Sequence, residues 1–373
     1  MVSFMEKYKK KLEKNEGVNT ELLPPSYFLH CGNYALNKLM TSDFNGAIPQ
    51  GRLTALTGHS SSGKSLVAAS VAAAVIRDGG FAFVIDSETS LDSDFMANCG
   101  VDVDSDNYQY VGVDGISQTT SVVNDILKDY KASGEEIRGV IIVDSLDMLL
   151  TETEQKRLDT KGDIGGDQGQ QAKQLKGMLK TWVHSVNGLP ISIICTKQPY
   201  KEQDPIKALE NPWVFTPSLQ FAFSQIIMFE KLQFKKEISG KKVHQGFTLK
   251  ATAYKNRIGR EKQTVKIEIP FDNGVDEFSG LIEIATEFGI IDKNKGWYTP
   301  VSFEGPKFQQ GKAESDLDFM NMLLDEIKKV DSKETTVNAD LSEYVEVEAS
   351  EEKKEDKPKS RRGRKKVEEV EES

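Results

Sequence analysis

Eight consecutive residues near the start of the chain have the pattern G-x-x-x-x-G-K-S, in which each fixed position has a role in binding phosphate. The glycines let backbone N–H groups approach phosphate oxygens, Lys64 reaches the β- and γ-phosphates, and the Ser65 hydroxyl suits Mg²⁺. We therefore predict a binding site for ATP and Mg²⁺, with Lys64 also acting in catalysis and Ser65 as a metal ligand. The predicted ATP-binding residues, here called the phosphate cradle, are Gly58, His59, Ser60, Ser61, Ser62, Gly63, Lys64 and Ser65.

The segments on either side of the cradle are those that such a site requires. Leu53–Thr57 is apolar and predicts a buried strand, and Ser65–Ile76 is rich in Ala and Val and predicts a helix. A chance match in a Ser- and Gly-rich turn is the alternative interpretation. The succession of strand, loop and helix argues against it, because this is the context in which the motif functions.

Two later apolar runs end near carboxylates. Asp144 closes the run Gly139–Val143, and Glu88 follows the run Phe81–Asp86. Because parallel strands end at the same edge of a sheet, both carboxylates are expected beside the cradle. Asp144 is predicted to hold Mg²⁺, usually through water, and Glu88 to orient and deprotonate the attacking water in ATP hydrolysis. A surface Glu after a strand is the alternative for Glu88.

The order of the elements predicts the fold that brings these groups together. Strands alternate with helices through most of the chain, which is typical of an α/β fold with a mostly parallel central sheet covered on both faces. The Lys-rich stretch Phe4–Asn15 predicts an N-terminal helix with an apolar stripe. Residues 331–373 are rich in Glu and Asp and predict a disordered tail.

The composition indicates a soluble ATPase in the cytoplasm with no membrane contact. The 373 residues include 38% hydrophobic residues, no apolar run that could span a bilayer and no secretory signal. The three cysteines are widely spaced, so neither disulfides nor zinc are predicted. Part of the net charge of −10 lies in the tail, where Lys359–Lys366 forms a basic cluster. A solvated end is the favoured interpretation of the tail, and a docking peptide, a nucleic-acid arm or an electrostatic brake on DNA binding remain open.

Further motifs match one protein family. They are Gly32–Asn37, Gly46–Pro49, Gly51-Arg52, Asp86-Ser87-Glu88, Val143-Asp144-Ser145, Tyr254–Arg257, Gly274–Asp276, Ser279–Leu281 and Gly296–Tyr298. With the cradle, these motifs resemble those of the RecA recombinases, and most closely those of the UvsX recombinases of T4-like phages. The similarity covers roughly residues 30–312, well over half of the chain.

The resemblance implies four parts of the chain. Residues 1–30 are expected to be a helical oligomerisation segment, 31–272 a RecA-like P-loop ATPase core with two DNA-binding loops, 273–330 a small C-terminal domain and 331–373 the charged tail. In the family, an N-terminal helix docks on the next copy in a head-to-tail filament. Packing on its own core is the alternative for this helix.

The resemblance also implies roles around the nucleotide. Glu88 matches the catalytic glutamate of the family. Asp92 and Phe95 match an acid near the adenine amino group and a ring stacked on the base, with a core aromatic as the alternative for Phe95. Gln198 matches a residue that senses the γ-phosphate and passes its state to a DNA-binding loop, although Lys197 replaces the Asn that is usual before it.

Two basic residues, Lys255 and Arg257, resemble cations that reach the γ-phosphate from the neighbouring copy in a filament. Cations supplied in this way stabilise the negative charge of the transition state and make hydrolysis depend on assembly. Exposed basic residues at a strand end are the alternative interpretation.

Two long segments are expected to contact single-stranded DNA, because in the family they line the filament axis. The first, residues 160–169, is here called loop one, and the second, residues 199–217, loop two. Both are predicted to be long, turn-rich and without regular structure, which is typical of functional loops. Trp213 and Phe215 are expected either to contact DNA or to anchor loop two to the core.

The residues and the resemblance together predict an ATP-dependent DNA recombinase. It is expected to form a helical filament on single-stranded DNA, pair it with duplex DNA and exchange strands in recombination, repair and recombination-dependent replication. A recombination mediator and a single-stranded DNA-binding protein are further implied partners, and the host cytoplasm is the location if the source is a phage. The alternatives are a hexameric helicase on the same fold and an ATP-gated DNA-binding regulator with vestigial hydrolysis.

Overall fold

The computed structural model describes residues 3–13, 24–162, 169–210, 212–238, 241–270 and 274–332. The strands are β1 (Phe28–Leu29), β2 (Ile48–Pro49), β3 (Leu53–Gly58), β4 (Phe81–Asp86), β5 (Tyr108–Gly112), β6 (Gly139–Asp144), β7 (Ile191–Lys197), β8 (Tyr200–Lys201), β9 (Trp213–Val214), β10 (Gln225–Ile238), β11 (Lys241–Asn256), β12 (Thr264–Pro270), β13 (Ile291–Asn294) and β14 (Trp297–Pro300). The helices are α1 (Phe4–Glu13), α2 (Tyr34–Thr41), α3 (Lys64–Arg77), α4 (Ser93–Asn98), α5 (Ile116–Ser133), α6 (Glu152–Lys161), α7 (Gln170–Val186), α8 (Pro205–Glu210), α9 (Pro217–Gln220), α10 (Leu281–Glu287), α11 (Gln310–Ala313) and α12 (317–332).

The central sheet has eight strands in the order β12-β11-β10-β3-β7-β6-β4-β5. The six strands from β10 to β5 are parallel, and β11 is antiparallel to both of its neighbours. Every residue of β3 and of β6 is buried, as expected for strands covered on both faces. The predicted α/β fold with a mostly parallel central sheet is confirmed.

Side chains of the central strands enter two apolar clusters, one on each face of the sheet. Along β7, Ile194 lies in the cluster that contains α2 and α3, whereas Ile193 and Cys195 lie in the cluster that contains α5 and α7. This alternation follows from the two-residue period of a strand. The same period directs Thr196 of β7 and Asp144 of β6 towards α3, the helix that begins in the cradle.

The C-terminal elements pack directly on the ATPase core. Leu281 of α10 and Leu323 of α12 belong to the same apolar cluster as Leu36 of α2. Asn33, the N-cap of α2, donates hydrogen bonds to the carbonyl oxygens of Asp276 (2.7 Å) and Ser279 (2.9 Å). These contacts join the two parts tightly, and the separate domain at 273–330 stays a prediction.

The N-terminal segment forms helix α1, as predicted. Phe4, Met5 and Tyr8 are exposed on it, so no described part of the same chain covers its apolar stripe. Residues 333–373, which include most of the predicted tail, lie outside the described residues. Within the described ranges, no helix combines the length and the apolar character needed to cross a membrane.

Candidate active site

Two glycines of the cradle are required by its geometry. A Cβ atom on Gly58 would lie 2.3 Å from Ser62 Oγ and 2.5 Å from the carbonyl oxygen of Phe229, so the turn leaves no space for a side chain. Gly63 has a φ of 97°, in the left-handed region, and is the N-cap of α3. The loop therefore leads from the end of β3 into the first turn of α3, where backbone N–H groups can meet phosphate.

Lys64 lies across the cradle in this structure. Its side chain is mostly buried, and Nζ donates hydrogen bonds to the carbonyl oxygens of Gly58 (3.0 Å) and His59 (2.9 Å). Burial lowers the pKa of Lys64, and the carboxylates of Asp144 and Glu88 act in the opposite direction. Phosphate oxygens can replace these two carbonyls as acceptors without further burial of the ammonium group.

Asp144 has the properties of a magnesium ligand. It is buried at the end of β6, Oδ1 accepts a hydrogen bond from Thr196 Oγ1, and Oδ2 has no hydrogen-bond partner among the described residues. Burial raises the pKa of Asp144, and the neighbouring hydroxyls of Ser65 and Thr196 lower it. A buried carboxylate oxygen without a partner, beside a serine hydroxyl, fits a divalent cation.

The protein supplies few ligands at this position. No group of three or more His, Cys, Asp or Glu side chains that could hold a metal occurs in the part of the chain that the structure describes. This agrees with Mg²⁺, which usually takes one or two protein ligands and completes its shell with water and substrate phosphate. Ser65 and Asp144 are the residues that would hold it.

Glu88 lies in a tight turn after β4, beside the end of β6. Its Oε1 accepts a hydrogen bond from Ser145 Oγ (2.5 Å), and the main-chain N–H of Glu88 donates to Asp86 Oδ1 (2.8 Å). Asp86 pairs with Asp144 in the register of β4 and β6, so Glu88 and the metal candidate lie at the same edge of the sheet. The cradle, Asp144 and Glu88 are here called the cleft, and the exposed carboxylate of Glu88 can meet a water molecule there.

Asp86 positions the turn that carries Glu88, and the sequence analysis did not identify this role. Its buried carboxylate also accepts N–H groups of Ser90 (3.0 Å) and Leu91 (3.1 Å) and the hydroxyl of Tyr110 (3.2 Å). A buried carboxylate requires such donors. The available signal was an aspartate that ends an apolar strand two residues before a candidate base.

Gln198 follows β7 at the same edge and is exposed. Its main-chain N–H donates to Asp147 Oδ2 (2.6 Å), and Lys197 forms an ion pair with Asp147 Oδ1. Lys197, the departure from the family pattern, thus points away from α3 and towards the segment that follows β6. Gln198 therefore lies at the end of β7, next to the strand that leads into the cradle, and its role as a γ-phosphate sensor stays a prediction.

The two predicted adenine contacts lie near α4. Asp92 is the N-cap of this helix and accepts a hydrogen bond from the N–H of Phe95 (2.7 Å). Phe95 is half-buried and packs against the apolar cluster around α3. These contacts are sufficient to explain both residues structurally, and their adenine-binding roles stay predictions.

Lys255 and Arg257 lie towards the opposite edge of the sheet, which is the one formed by the amino ends of the parallel strands. Phe229 of β10 pairs with Gly58 at the start of the cradle, whereas Ile226 of the same strand pairs with Lys255 of β11. Three residues of strand span about 10 Å, and the cradle extends farther away from that point. The strand register therefore separates both cations from the cradle of their own chain.

Lys255 is held by main-chain carbonyls. Nζ donates hydrogen bonds to the carbonyl oxygens of Gln220 and Phe223, the latter at 2.8 Å. Burial and, to a smaller extent, the positive charge of Arg257 lower the pKa of Lys255 to about 8, and the carboxylate of Glu261 acts in the opposite direction. Arg257 is exposed, and its main-chain N–H donates to the carbonyl of Ser224 (2.9 Å).

The prediction that loop two lacks regular structure is wrong. Within it, β8 pairs with β9, and α8 lies between them. Two-residue strands are too short to give a hydrophobic period, so the sequence pattern could not reveal them. For loop one, residues 160 and 161 belong to α6, and 163–168 lie outside the described residues.

The aromatic residues of loop two have different roles. Phe215 is fully buried and contacts Phe223 edge to face, with ring centroids 5.6 Å apart, so it anchors the loop. Trp213 is half-buried and contacts the ring of His59 edge to face, with centroids 4.1 Å apart. The side chain of His59 therefore joins the cradle to loop two, whereas its backbone is part of the cradle itself.

The cradle, the buried aspartate beside Ser65 and the glutamate at the next strand end define the chain as a P-loop nucleoside triphosphatase. Comparison with known proteins then narrows this class. The family described as RecA N-terminal domain matches residues 27–276, well over half of the sequence. The chain belongs to the RecA family.

Curated relatives agree with this assignment. The chain is 29% identical to protein RecA of Aquifex aeolicus over 271 residues, which cover 72% of each chain. It is 25% identical to protein RecA of Kineococcus radiotolerans over 349 residues, 91% of this chain and 94% of that one. A third relative, protein RecA of Mesomycoplasma hyopneumoniae, is 26% identical over 287 residues.

Proposed function

We propose that this protein is an ATP-dependent DNA recombinase that forms a helical filament on single-stranded DNA and exchanges strands with a homologous duplex. The observation that carries the proposal is the separation of the predicted site residues between two edges of the sheet. The cradle, Asp144 and Glu88 lie at one edge, and Lys255 and Arg257 lie towards the other. Membership of the RecA family supports the same function.

The proposed chemistry assigns one task to each group at the first edge. Lys64 and the backbone N–H groups of the cradle hold the phosphates, and Ser65 and Asp144 would hold Mg²⁺. When bound, this ion would neutralise charge on the phosphate oxygens. Glu88 orients the attacking water and accepts its proton, because Ser145 and the turn on Asp86 fix the carboxylate in the cleft. Gln198 senses whether the γ-phosphate is present.

A head-to-tail arrangement would complete this site. If the next copy of the chain presents the edge with Lys255 and Arg257 to the cradle, two cations approach the γ-phosphate in trans. An interface between different surfaces of identical copies produces either a ring or an open helix. The exposed apolar stripe of α1 supports docking on a neighbouring copy, because no described part of its own chain covers it.

Loop two supports contact with single-stranded DNA. Ile206 and Leu209 of α8 are 78% and 87% exposed, and Phe215 anchors the loop behind them. Exposed apolar side chains on an anchored loop suit contact with the faces of unpaired bases, which are available in every sequence. The net charge of −10 does not oppose this local contact, because part of that charge lies in the tail.

We also propose three finer points. The chain is most like the UvsX recombinases of T4-like phages, and it acts in the host cytoplasm if its source is a phage. Its partners include a recombination mediator and a single-stranded DNA-binding protein. A hexameric helicase is the second candidate, because copies of the chain that share a site in this way can also close into a ring. Electron microscopy with ATP and single-stranded DNA distinguishes the two: we expect open filaments, and closed hexamers would support the helicase.

The function is tested by DNA strand exchange with the wild-type chain and with Lys64→Ala. We expect the wild type to transfer a strand from a homologous duplex to single-stranded DNA in the presence of ATP and Mg²⁺. Lys64→Ala removes the charge that holds the phosphates and should abolish exchange. A wild-type chain that hydrolyses ATP in response to DNA but does not pair homologous strands would contradict the proposal.

Lys255 gives the proposed function a pH dependence. Its pKa of about 8 means that the isolated chain loses this positive charge as the pH rises through that value. Because the charged form attracts phosphate, DNA-stimulated ATP turnover is expected to fall between about pH 7 and about pH 9. Lys255→Arg keeps its charge over this range and should remove that fall. An unchanged fall in Lys255→Arg would show that another group titrates.

The lowered pKa of Lys255 also makes the stability of the fold depend on pH, in the opposite direction to turnover. In its folded state Lys255 binds fewer protons than in the unfolded state between its lowered value of about 8 and its ordinary value of 10.5. The contribution of Lys255 to the free energy of unfolding therefore rises with pH through this window, whereas turnover falls. Denaturant titrations at several pH values separate the two effects.

A further inference from the structure

Asp147 lies three residues after the metal candidate Asp144, in the segment that connects β6 to α6. Both oxygens of its carboxylate are used. Oδ2 accepts the main-chain N–H of Gln198 (2.6 Å), and Oδ1 forms an ion pair with Nζ of Lys197. The side chains of Lys197 and Asp147 are 12% and 25% exposed, so the pair is largely sheltered from solvent. A sheltered charge pair is geometrically demanding and costly to break by removal of one partner.

The N–H of Gln198 lacks a sheet partner. The last pairing of β3 with β7 joins Thr57 to Lys197, and the last pairing of β6 with β7 joins Val143 to Cys195. Gln198 therefore lies beyond the ladder on both sides. Among the described residues, the bond to Asp147 takes the place of a ladder hydrogen bond.

From these contacts we propose that Asp147 is a positioning residue for Gln198, which rests on the sensor role that the proposed function gives to Gln198. Lys197 fixes one oxygen of the carboxylate and thereby orients the other towards the Gln198 N–H. The side chain of Gln198 can report the γ-phosphate only if its backbone is held relative to Asp144 and the cradle. Lys197, which replaces the Asn that is usual in the family, then acts together with Asp147 as one unit.

The backbone around Asp147 is also tied to the start of α7, which follows loop one. Nε2 of Gln171, in the first turn of α7, donates hydrogen bonds to the carbonyl oxygens of Asp147 (3.2 Å) and Leu149 (3.1 Å). The N–H of Leu146 donates to the carbonyl of Thr196 (3.0 Å). The short segment that follows the metal candidate therefore contacts both the end of β7 before loop two and the helix after loop one.

The test compares steady-state ATP hydrolysis, with and without single-stranded DNA, in Asp147→Ala, Gln198→Ala and the double variant. In Asp147→Ala we expect kcat to fall about 10- to 100-fold with little change in KM for ATP, because misplacement of a positioned group by about 1 Å has effects of this size. The double variant should be no slower than Gln198→Ala, since both changes remove one function. Lys197→Ala should have a smaller effect, because the bond from the Gln198 N–H to Asp147 survives.

Three controls make the result interpretable. Asp125→Ala removes the same charge from an exposed position on α5 and should behave as the wild type. Asp147→Asn retains an acceptor for the Gln198 N–H and should recover part of kcat. The kcat and KM split distinguishes positioning from general loss of structure, which would lower the midpoint of thermal unfolding and the fraction of active protein.

Two outcomes would overturn the inference: wild-type kcat in Asp147→Ala, or multiplicative losses in the double variant. Failure of the proposed function has a different signature, because it would appear in the wild type as absent strand exchange or as turnover that DNA does not stimulate. In that case the DNA-independent kcat still tests the inference. Asp147→Ala and Gln198→Ala should lower it by the same factor.

Discussion

Replacement of Glu88 by Gln is expected to lower DNA-stimulated ATP turnover by about 10²- to 10⁴-fold, the range for loss of a general base. An amide cannot accept the proton of the attacking water, but it can keep the hydrogen bond that Ser145 donates to Oε1. The turn held by Asp86 is unchanged, so ATP binding and filament formation should survive. Turnover is measured in single-turnover experiments, and nucleotide binding is measured separately with a fluorescent ATP analogue.

The matched control for Glu88→Gln is Glu135→Gln, the same change at an exposed glutamate after α5. It should have wild-type turnover. A Glu88→Gln chain with undiminished turnover would remove Glu88 from the chemistry and leave the ATP-gated regulator as the better assignment. A variant that also failed to bind ATP would assign the residue to the structure of the cleft.

The second large effect concerns the opposite edge of the sheet. Combined replacement of Lys255 and Arg257 by Ala should lower turnover by about 10³- to 10⁵-fold, the range for a cation supplied to a phosphoryl-transfer site. The defect should be repairable by mixing. A copy with Glu88→Gln has intact cations, and a copy with the double alanine change has an intact cleft. A contact is complete where the cations of a Glu88→Gln copy meet the cleft of a double-alanine copy, and the reverse order lacks both groups.

Equal mixtures of these two inactive chains should recover about a quarter of wild-type turnover, because random head-to-tail order places the required partners together in that fraction of contacts. Mixtures that remain as inactive as their components would contradict sharing of the site between copies. The control chain carries Arg260→Ala and Lys266→Ala, which remove two exposed positive charges from the same region. It should retain turnover on its own, without mixing with a second variant.

The sequence was sufficient for the cleft because its chemistry restricts residue types. Glycines at 58 and 63 are required by close contacts and by a left-handed turn, and both requirements are readable as a motif. The carboxylates of Glu88 and Asp144 could be placed at one edge because parallel strands end there. The eight-stranded sheet confirmed this expectation for the strand ends.

Long-range contacts were not readable in the same way. The role of Asp86 depends on N–H groups that face inward only after the turn has formed, and the pairing of Asp147 with Lys197 joins residues that lie fifty positions apart. For Phe215, sequence left anchoring and DNA contact open, and burial decided for anchoring. The distance of Lys255 from the cradle required the register of β11, which a single sequence does not contain.

The antiparallel course of β11 has a consequence for assemblies of finite length. In the proposed head-to-tail arrangement, with cleft and cations towards opposite edges, an open row of copies would have one fewer complete site than it has members. The copy at one terminus would not hydrolyse its ATP, because no neighbour supplies cations to its cleft. The cations of the copy at the other terminus would have no neighbouring cleft to enter. Turnover per molecule should therefore climb with filament length and level off, and the two termini should lose subunits at different rates.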